Sequence, residues 1–91
     1  MQKRVKLTVS GRVQGVCFRA HTLEFATGQD LTGYVRNLPN AKVEIVAEGD
    51  RAAIESLVAW TRRGPPMSHV DEVDVSYQKA TGAYAEFQIA R

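Results

Sequence analysis

The sequence contains a single cysteine, Cys17, among 91 residues, so no internal disulfide can form and a small disulfide-rich secreted domain is excluded. No stretch approaches the roughly 18 consecutive apolar residues that a membrane span requires. The charged start, Met1-Gln2-Lys3-Arg4, lacks the apolar run of a signal peptide. These absences predict a cytoplasmic protein that does not contact a membrane, and we expect it to be a monomer.

Charge of one sign is also not in large excess. Twelve Lys and Arg residues against ten Asp and Glu residues give a formal net charge of +2. This charge is too small to indicate a nucleic acid partner, but it suits the attraction of a small anion. The composition, 44% hydrophobic and 24% charged, is ordinary for a globular protein. Neither half of the chain would have enough interior to fold alone, so we expect one domain over residues 1–91.

Hydrophobic periodicity predicts the elements of secondary structure. Alternation at Val5, Leu7 and Val9 indicates a half-buried strand. A helix is expected from about Phe18, with Gly28 closing it in a left-handed conformation. The remaining predicted elements are a strand Leu31–Asn37, a turn Leu38–Ala41, a strand Val43–Glu48, a helix Arg51–Arg63 capped by Asp50, a strand around Val70–Val75, and a strand Tyr84–Ile89.

This order is βαββαβ with a further short strand. It predicts an α+β fold of the ferredoxin-like, split βαβ type, in which two helices cover one face of an antiparallel sheet. The inward face of the second helix should carry Ile54, Leu57, Val58 and Thr61, with Trp60 packing at its margin. Because this architecture hosts enzymes, RNA-binding modules and regulatory domains alike, it does not decide the function.

The segment Gly11–Arg19 joins the first strand to the first turn of a helix. Its glycines allow the backbone to curl, and the N–H groups at a helix N-terminus have no partner within the helix, so an anion such as phosphate can bind there. The planar guanidinium of Arg19 could bind phosphate oxygens in a bidentate manner. The spacing alone leaves open whether this loop binds an anion or is an ordinary solvated connection, and the segment matches neither nucleotide-binding glycine motif.

Two segments of the sequence together resemble the signatures of a known family. Gly11-Arg12-Val13-Gln14-Gly15-Val16-Cys17-Phe18-Arg19 and Gly33-Tyr34-Val35-Arg36-Asn37-Leu38-Pro39 are similar to the two motifs of the acylphosphatase family, in the expected order and separation. The resemblance continues through Val43–Gly49 and Trp60–Pro66 and so covers nearly the whole chain.

The resemblance implies hydrolysis of a carboxyl–phosphate mixed anhydride to a carboxylate and inorganic phosphate, without a metal or other cofactor. It also implies that the guanidinium of Arg19 binds the phosphoryl group and that Asn37 positions the attacking water. The loop residues whose backbone amides would complete the phosphate site are Gln14, Gly15, Val16, Cys17 and Phe18.

Two departures from the family pattern affect packing rather than the site. Gln29-Asp30 stands where the family commonly has a leucine followed by a glycine, so the first helix could end sooner and leave a less apolar corner. The Asn40-Ala41 turn lacks the glycine usually found there.

Several reactive side chains are interpreted as bystanders. Cys17 could supply a thiolate nucleophile, but we favour a buried or half-buried spectator. His21 and His69 have no partners at metal-ligand spacing and are expected to be solvated or structural. Asp71, Glu72 and Asp74 are interpreted as a solvated strand face.

A non-catalytic binding module is the alternative to an enzyme. Ferredoxin-like sheets can stack RNA bases on aromatic side chains, but the predicted strand Val43–Glu48 has none. A phosphate sensor, or a helper domain of a larger maturation protein, also remains open. The resemblance favours the enzyme and a small acyl phosphate as its partner.

Overall fold

Seven elements of secondary structure follow one another along the chain, and the computed structural model describes all of residues 1–91. They are β1 (Gln2–Arg12), α1 (Phe18–Gly28), β2 (Thr32–Asn37), β3 (Val43–Asp50), α2 (Arg51–Arg63), β4 (His69–Gln78) and β5 (Phe87–Ile89). The order predicted from the sequence, βαββαβ with a short final strand, is therefore confirmed. The fold is α+β and ferredoxin-like. Neither helix has the length and apolar character needed to cross a membrane.

The five strands form one sheet in the order β4-β1-β3-β2-β5. Pairing is antiparallel between β1 and β4, β1 and β3, and β2 and β3, which confirms the predicted β2–β3 hairpin. The pairing of β5 with β2 is parallel, so the expectation of a fully antiparallel sheet is wrong at this edge. After β4 the chain crosses from one edge of the sheet to the other, and β5 then enters in the same direction as β2.

The hydrophobic core lies between the two helices and one face of the sheet. Its fully enclosed members include Leu7, Ile45 and Ile54. On α2 the buried residues are Ile54, Leu57, Val58 and Thr61, as the sequence predicted, and Asp50 caps the helix by accepting the backbone N–H of Ala52. At the margin of the core Trp60 stacks on Phe25, with ring centroids 5.0 Å apart, which confirms its packing role.

The end of α1 differs from the prediction. Gly28 is helical, and the left-handed residue is Asp30, with φ of 58°. The N–H of Leu31 bonds to the carbonyl of Ala26, and that of Asp30 to the carbonyl of Thr27, which is a Schellman ending. This ending buries Leu31 in the core, so the corner retains an apolar contact despite the polar pair before it.

The end of β1 sets the direction of the loop that follows. The register against β4 shifts between Ser10 and Gly11, which marks a β-bulge. Gly11 has φ of 122°, and a Cβ at this position would clash with the carbonyl oxygen of His69. Glycine is therefore required where the chain leaves the sheet towards α1.

Both faces of β3 are buried, which the sequence alternation did not predict. On the face away from the helices Glu44 accepts hydrogen bonds from Arg36 Nε at 2.7 Å and from the Tyr34 hydroxyl at 2.8 Å. Burial acts to raise the pKa of Glu44, but these hydrogen bonds and the nearby positive charges outweigh it and hold the pKa below its usual value. The face of the sheet opposite the core thus carries a buried carboxylate that is paired with a positively charged side chain and a hydroxyl donor.

Candidate active site

One pocket of about 400 Å³ lies between the β1–α1 loop, the start of α1 and the end of β2. Both side chains that the family resemblance implies for catalysis, Arg19 and Asn37, line this pocket. The other lining residues are Val13, Gly15, Cys17, Phe18, Ala20 and Ile89. The fold therefore brings together two polar residues that are 18 positions apart in the sequence.

Strand alternation explains why Asn37 faces this pocket. Val35 is fully buried on the helix side of the sheet, and Asn37 lies two residues later on the same face, at the end of β2. On the neighbouring β5 the same relation holds between Phe87, which is in the core, and Ile89. Both strands thus direct a side chain towards the N-terminal end of α1.

The loop from Gln14 to Phe18 presents a series of unpaired donors. None of these five backbone N–H groups donates a hydrogen bond within the protein, and the first carbonyl to enter the helix ladder is that of Cys17, which accepts from His21. The first turn of α1 contains no acidic residue, and the N-cap side chain makes no capping hydrogen bond. The N-terminus of α1 therefore offers partial positive charge and free donors to an anion.

The curvature of this loop comes from alternating backbone conformations. Gly15 has φ of 73° and Cys17 has φ of 61°, whereas Val16 between them has a negative φ. Alternation of this kind turns successive N–H groups towards a common centre, which is the arrangement of an anion-binding nest. A non-glycine residue in the left-handed region is costly, so Cys17 marks a backbone held in place by its surroundings.

Arg19 supplies the positive side chain of the pocket. Unlike Arg4 and Arg36, which pair with Glu48 and Glu44, Arg19 forms no salt bridge and no side-chain hydrogen bond within the protein. It is half-buried in the first turn of α1, directly after the loop of unpaired donors. Its guanidinium is therefore available for an anionic ligand.

Asn37 supplies an unpartnered acceptor. Its Oδ1 atom is buried and has no hydrogen-bond partner in the protein. Buried polar atoms without partners are uncommon in folded proteins and call for an explanation. Because the residue lines the same pocket as Arg19, a ligand or a water bound there could satisfy this atom.

Gln14 connects the loop to the hairpin that carries Asn37. Its Nε2 atom donates to the carbonyl of Leu38 and to the carbonyl of Lys42, each at 2.9 Å. The family resemblance implies only a backbone role for this residue, and its side chain does not line the pocket. Val16 likewise does not line the pocket, although it packs against the core.

The other reactive side chains lie as follows. Cys17 is exposed, so the expectation of a buried or half-buried thiol is wrong, because the left-handed backbone turns this residue outwards. His21, His69 and the acidic residues of β4 are exposed, as expected for solvated groups. His69 lies 3.1 Å from Asp71. No group of three or more His, Cys, Asp or Glu side chains is placed to hold a metal ion.

Comparison with known proteins identifies the family. The sequence profile of the acylphosphatase family matches residues 5–89 of the chain. The acylphosphatase of Methylococcus capsulatus is 49% identical over 89 residues, which are 98% of this chain and 97% of that protein. The chain belongs to the acylphosphatase family. Family membership and the relatives' names support a hydrolase that acts on acyl phosphates, as the resemblance of the two motifs implied.

Solved structures share the whole fold of this chain. The crystal structure of acylphosphatase from Bacillus subtilis superposes with a TM-score of 0.94 at 34% identity, over 100% of both chains. Full-length HypF in its phosphate- and nucleotide-bound form contains a similar region, with a TM-score of 0.91 at 27% identity. This region covers all of the present chain but only 12% of the HypF chain. The fold is therefore found both alone and within a much longer protein.

Sequence reasoning missed two parts of the site. Ile89, which is 42% exposed at the pocket wall, could not be placed there because the pairing partner of β5 was unknown. The two hydrogen bonds of the Gln14 side chain were also missed, because they connect residues 24 and 28 positions apart. The only local signal for these hydrogen bonds was the presence of a polar side chain, that of Gln14, in a loop expected to act through its backbone.

Proposed function

We propose that the pocket hydrolyses acyl phosphates to a carboxylate and inorganic phosphate, with Arg19 and Asn37 as its catalytic side chains. One observation carries this proposal. An unpaired guanidinium, a curled loop of free N–H groups and an unpartnered amide oxygen all meet at one pocket. The first two suit a phosphoryl group, and the third suits a water molecule beside it.

The phosphoryl group would be bound by the N–H groups of Gln14 to Phe18 and by Arg19. Its non-bridging oxygens carry negative charge in the ground state and in the transition state. Donors that are already in place stabilise this charge without reorganisation during the reaction. Because phosphoryl transfer depends mostly on positioning and electrostatics, such a site needs few reactive side chains.

The attacking water would donate a hydrogen bond to Oδ1 of Asn37, which leaves an oxygen lone pair directed at phosphorus. The water oxygen bonds to phosphorus, and the bond from phosphorus to the acyl oxygen breaks. The carboxylate leaves with that electron pair. An amide is not a strong base, so the proton of the water passes to an oxygen of the substrate's own phosphate.

The leaving group explains why no general acid is required. A carboxylic acid has a pKa of about 4, so the carboxylate departs without protonation at neutral pH. The two histidines of the chain are exposed, and neither lines the pocket. Ile89 and the other apolar lining residues can make only nonspecific contacts with an acyl chain. We therefore expect broad tolerance of the acyl group.

The test follows the loss of benzoyl phosphate absorbance in buffer with a chelator. We expect fast turnover by the unmodified chain. Arg19→Ala should lose affinity and rate together, whereas Asn37→Ala should lower mainly kcat, by about 10²- to 10³-fold. Arg62→Ala is the matched control, since Arg62 is an exposed arginine of α2 that does not line the pocket and should not affect turnover. Full kcat in a folded Asn37→Ala chain would contradict the water-positioning role.

Exposure of the Cys17 thiol at the pocket makes a covalent route worth testing in the same assay. We expect Cys17→Ser to retain most of its turnover, because the proposed mechanism uses only the backbone of this residue. Complete loss of turnover in a folded Cys17→Ser chain would instead indicate a phosphocysteine intermediate.

The non-catalytic alternatives predict different outcomes. A phosphate sensor would bind inorganic phosphate without turning over benzoyl phosphate. RNA binding has less support, because the aromatic residues on the open face are engaged internally: Tyr34 donates to Glu44 and packs against Tyr84 at 6.0 Å.

We further propose a single domain that acts as a cytoplasmic monomer, and size-exclusion chromatography at assay concentrations checks the oligomeric state.

A further inference from the structure

The side chain of Gln14 connects the proposed phosphate loop to the turn that follows Asn37. Its two N–H donors bind the carbonyls of Leu38 and Lys42, which stand on opposite sides of the turn between β2 and β3. The turn is closed by the N–H of Leu38, which donates to the carbonyl of Lys42 at 2.8 Å. Gln14 therefore holds both ends of one closed turn.

These two hydrogen bonds have no substitute. No other hydrogen bond joins loop residues 13–17 to residues 37–42. Asn37 directly precedes Leu38, so one contact of Gln14 lies a single residue from the amide that would position the water. The sheet fixes Asn37 through its pairing with Val43, and Gln14 adds the one direct hydrogen-bonded link between the phosphate loop and the turn that follows Asn37.

We infer that Gln14 is a positioning residue, which sets the side chain of Asn37 at the correct distance from the phosphoryl group. The inference rests on the proposed acyl phosphate hydrolysis. An in-line attack requires the water to be placed closely relative to phosphorus, and a displacement of about 1 Å can cost about 10²-fold in rate. Loss of the Gln14 contacts would free the turn to move by such a distance while the loop amides and Arg19 remain.

A double-mutant cycle with Gln14→Met and Asn37→Ala tests this coupling. Methionine has a similar length but no donor. We expect Gln14→Met to lower kcat for benzoyl phosphate by about 10- to 10²-fold. The inhibition constant of inorganic phosphate should change by less than about threefold, because the phosphate donors are retained. In the Asn37→Ala background Gln14→Met should lower kcat by less than about twofold, because the amide that Gln14 would position is already absent.

Two results would overturn the inference. Equal losses of kcat in both backgrounds would show that Gln14 acts independently of Asn37, and a matching rise in the phosphate inhibition constant would show that it supports the loop instead. Circular dichroism establishes that each variant is folded. Gln14→Leu, which also lacks a donor and adds no charge beside the phosphate loop, provides a second variant with the same expected pattern. Gln78→Met, on the exposed part of β4, is the control and should leave kcat unchanged.

Failure of the proposed function can be told apart from failure of this inference. If the unmodified chain shows no turnover, or if Asn37→Ala alone retains full kcat, the proposed function is wrong, and the inference that rests on it is overturned as well. If both behave as proposed but the cycle is additive, only the role of Gln14 is wrong.

Discussion

The carboxylate of Glu48 binds Thr81 through both the backbone and the side chain of that residue. It accepts the Thr81 N–H at 3.1 Å and the Thr81 hydroxyl at 2.7 Å. The N–H of Gly82 adds a hydrogen bond at 2.8 Å, and Arg4 pairs with the same carboxylate at 3.2 Å. One buried side chain in the middle of the sheet thus anchors the segment that leads to β5, the strand that supplies Ile89 to the pocket.

We expect Glu48→Gln to lower the free energy of unfolding by about 2 kcal/mol. Hydrogen bonds to a charged acceptor contribute about 1.5–3 kcal/mol, and Arg4 would lose its partner. Urea denaturation at pH 7 measures the effect. Glu24→Gln, at an exposed position of α1, is the control and should change stability by less than about 0.5 kcal/mol. Equal midpoints for the two variants would contradict the anchoring role of Glu48.

Stability should fall on acidification below about pH 4.3, the usual pKa of glutamate in an unfolded chain. Burial acts to raise the pKa of Glu48, but hydrogen bonds from Thr81, Gly82 and Arg4 outweigh it, and the folded pKa is lowered. The pKa of Glu44 is lowered as well. Below the unfolded pKa the unfolded state binds more protons, so the stability contributed by both groups is lost as the pH falls through their folded values.

Urea midpoints between pH 7 and pH 3 measure this dependence. The slope should become shallower in Glu44→Gln and in Glu48→Gln, since each removes one of the two titrating groups. A chain that became more stable as the pH fell through this range would show that the carboxylates are not held in their charged form.

Arg19→Lys should be a poor replacement for Arg19. Lysine keeps the positive charge but loses the planar fork that binds two phosphate oxygens at once. We expect kcat/KM for benzoyl phosphate to fall by at least about tenfold, with the inhibition constant of inorganic phosphate raised. Steady-state kinetics with inorganic phosphate as competitor gives both quantities. A lysine variant with unchanged kcat/KM would mean that charge alone is sufficient.

The left-handed backbone at Cys17 predicts a stability ranking. Glycine adopts φ of 61° without steric cost, whereas a β-branched residue is strained there. We expect Cys17→Gly to exceed Cys17→Val in unfolding free energy by about 2 kcal/mol. Thermal and urea denaturation of the two variants measures the difference. The reverse order would indicate that the loop changes conformation when residue 17 is replaced.

Local patterns in the sequence predicted most of the fold. The choice of Arg19 and Asn37 as site residues came from the resemblance of two motifs to a known family. The helix bounds at Phe18 and Arg63 and the β2–β3 hairpin follow from periodicity, capping and turn residues, which act over a few positions. Gly28 was misleading because tertiary packing decides where the helix ends. Burial of Leu31 moves the left-handed position to Asp30, a residue type that tolerates this conformation.

The parts that could not be predicted depend on contacts between distant residues. The parallel pairing of β5 with β2 follows from the path of the chain across the sheet, which no short pattern encodes. Glu44 and Glu48 alternate with apolar residues as on a solvated face, yet both are buried, because neighbouring strands and the segment around Thr81 cover them. The role of the Gln14 side chain has the same origin.

The position of β1 between β4 and β3 has a consequence for how the chain acquires its structure. This strand is synthesised before both of its partners, which are residues 43–50 and 69–78. One edge of β1 therefore lacks its partner until residues 43–50 have been synthesised, and the other edge until residues 69–78 have been synthesised. Closing such long loops is entropically costly, and we expect folding in milliseconds to about a second rather than in microseconds. Until these partners are in place, the free edges of β1 would be open to pairing with strands of other chains.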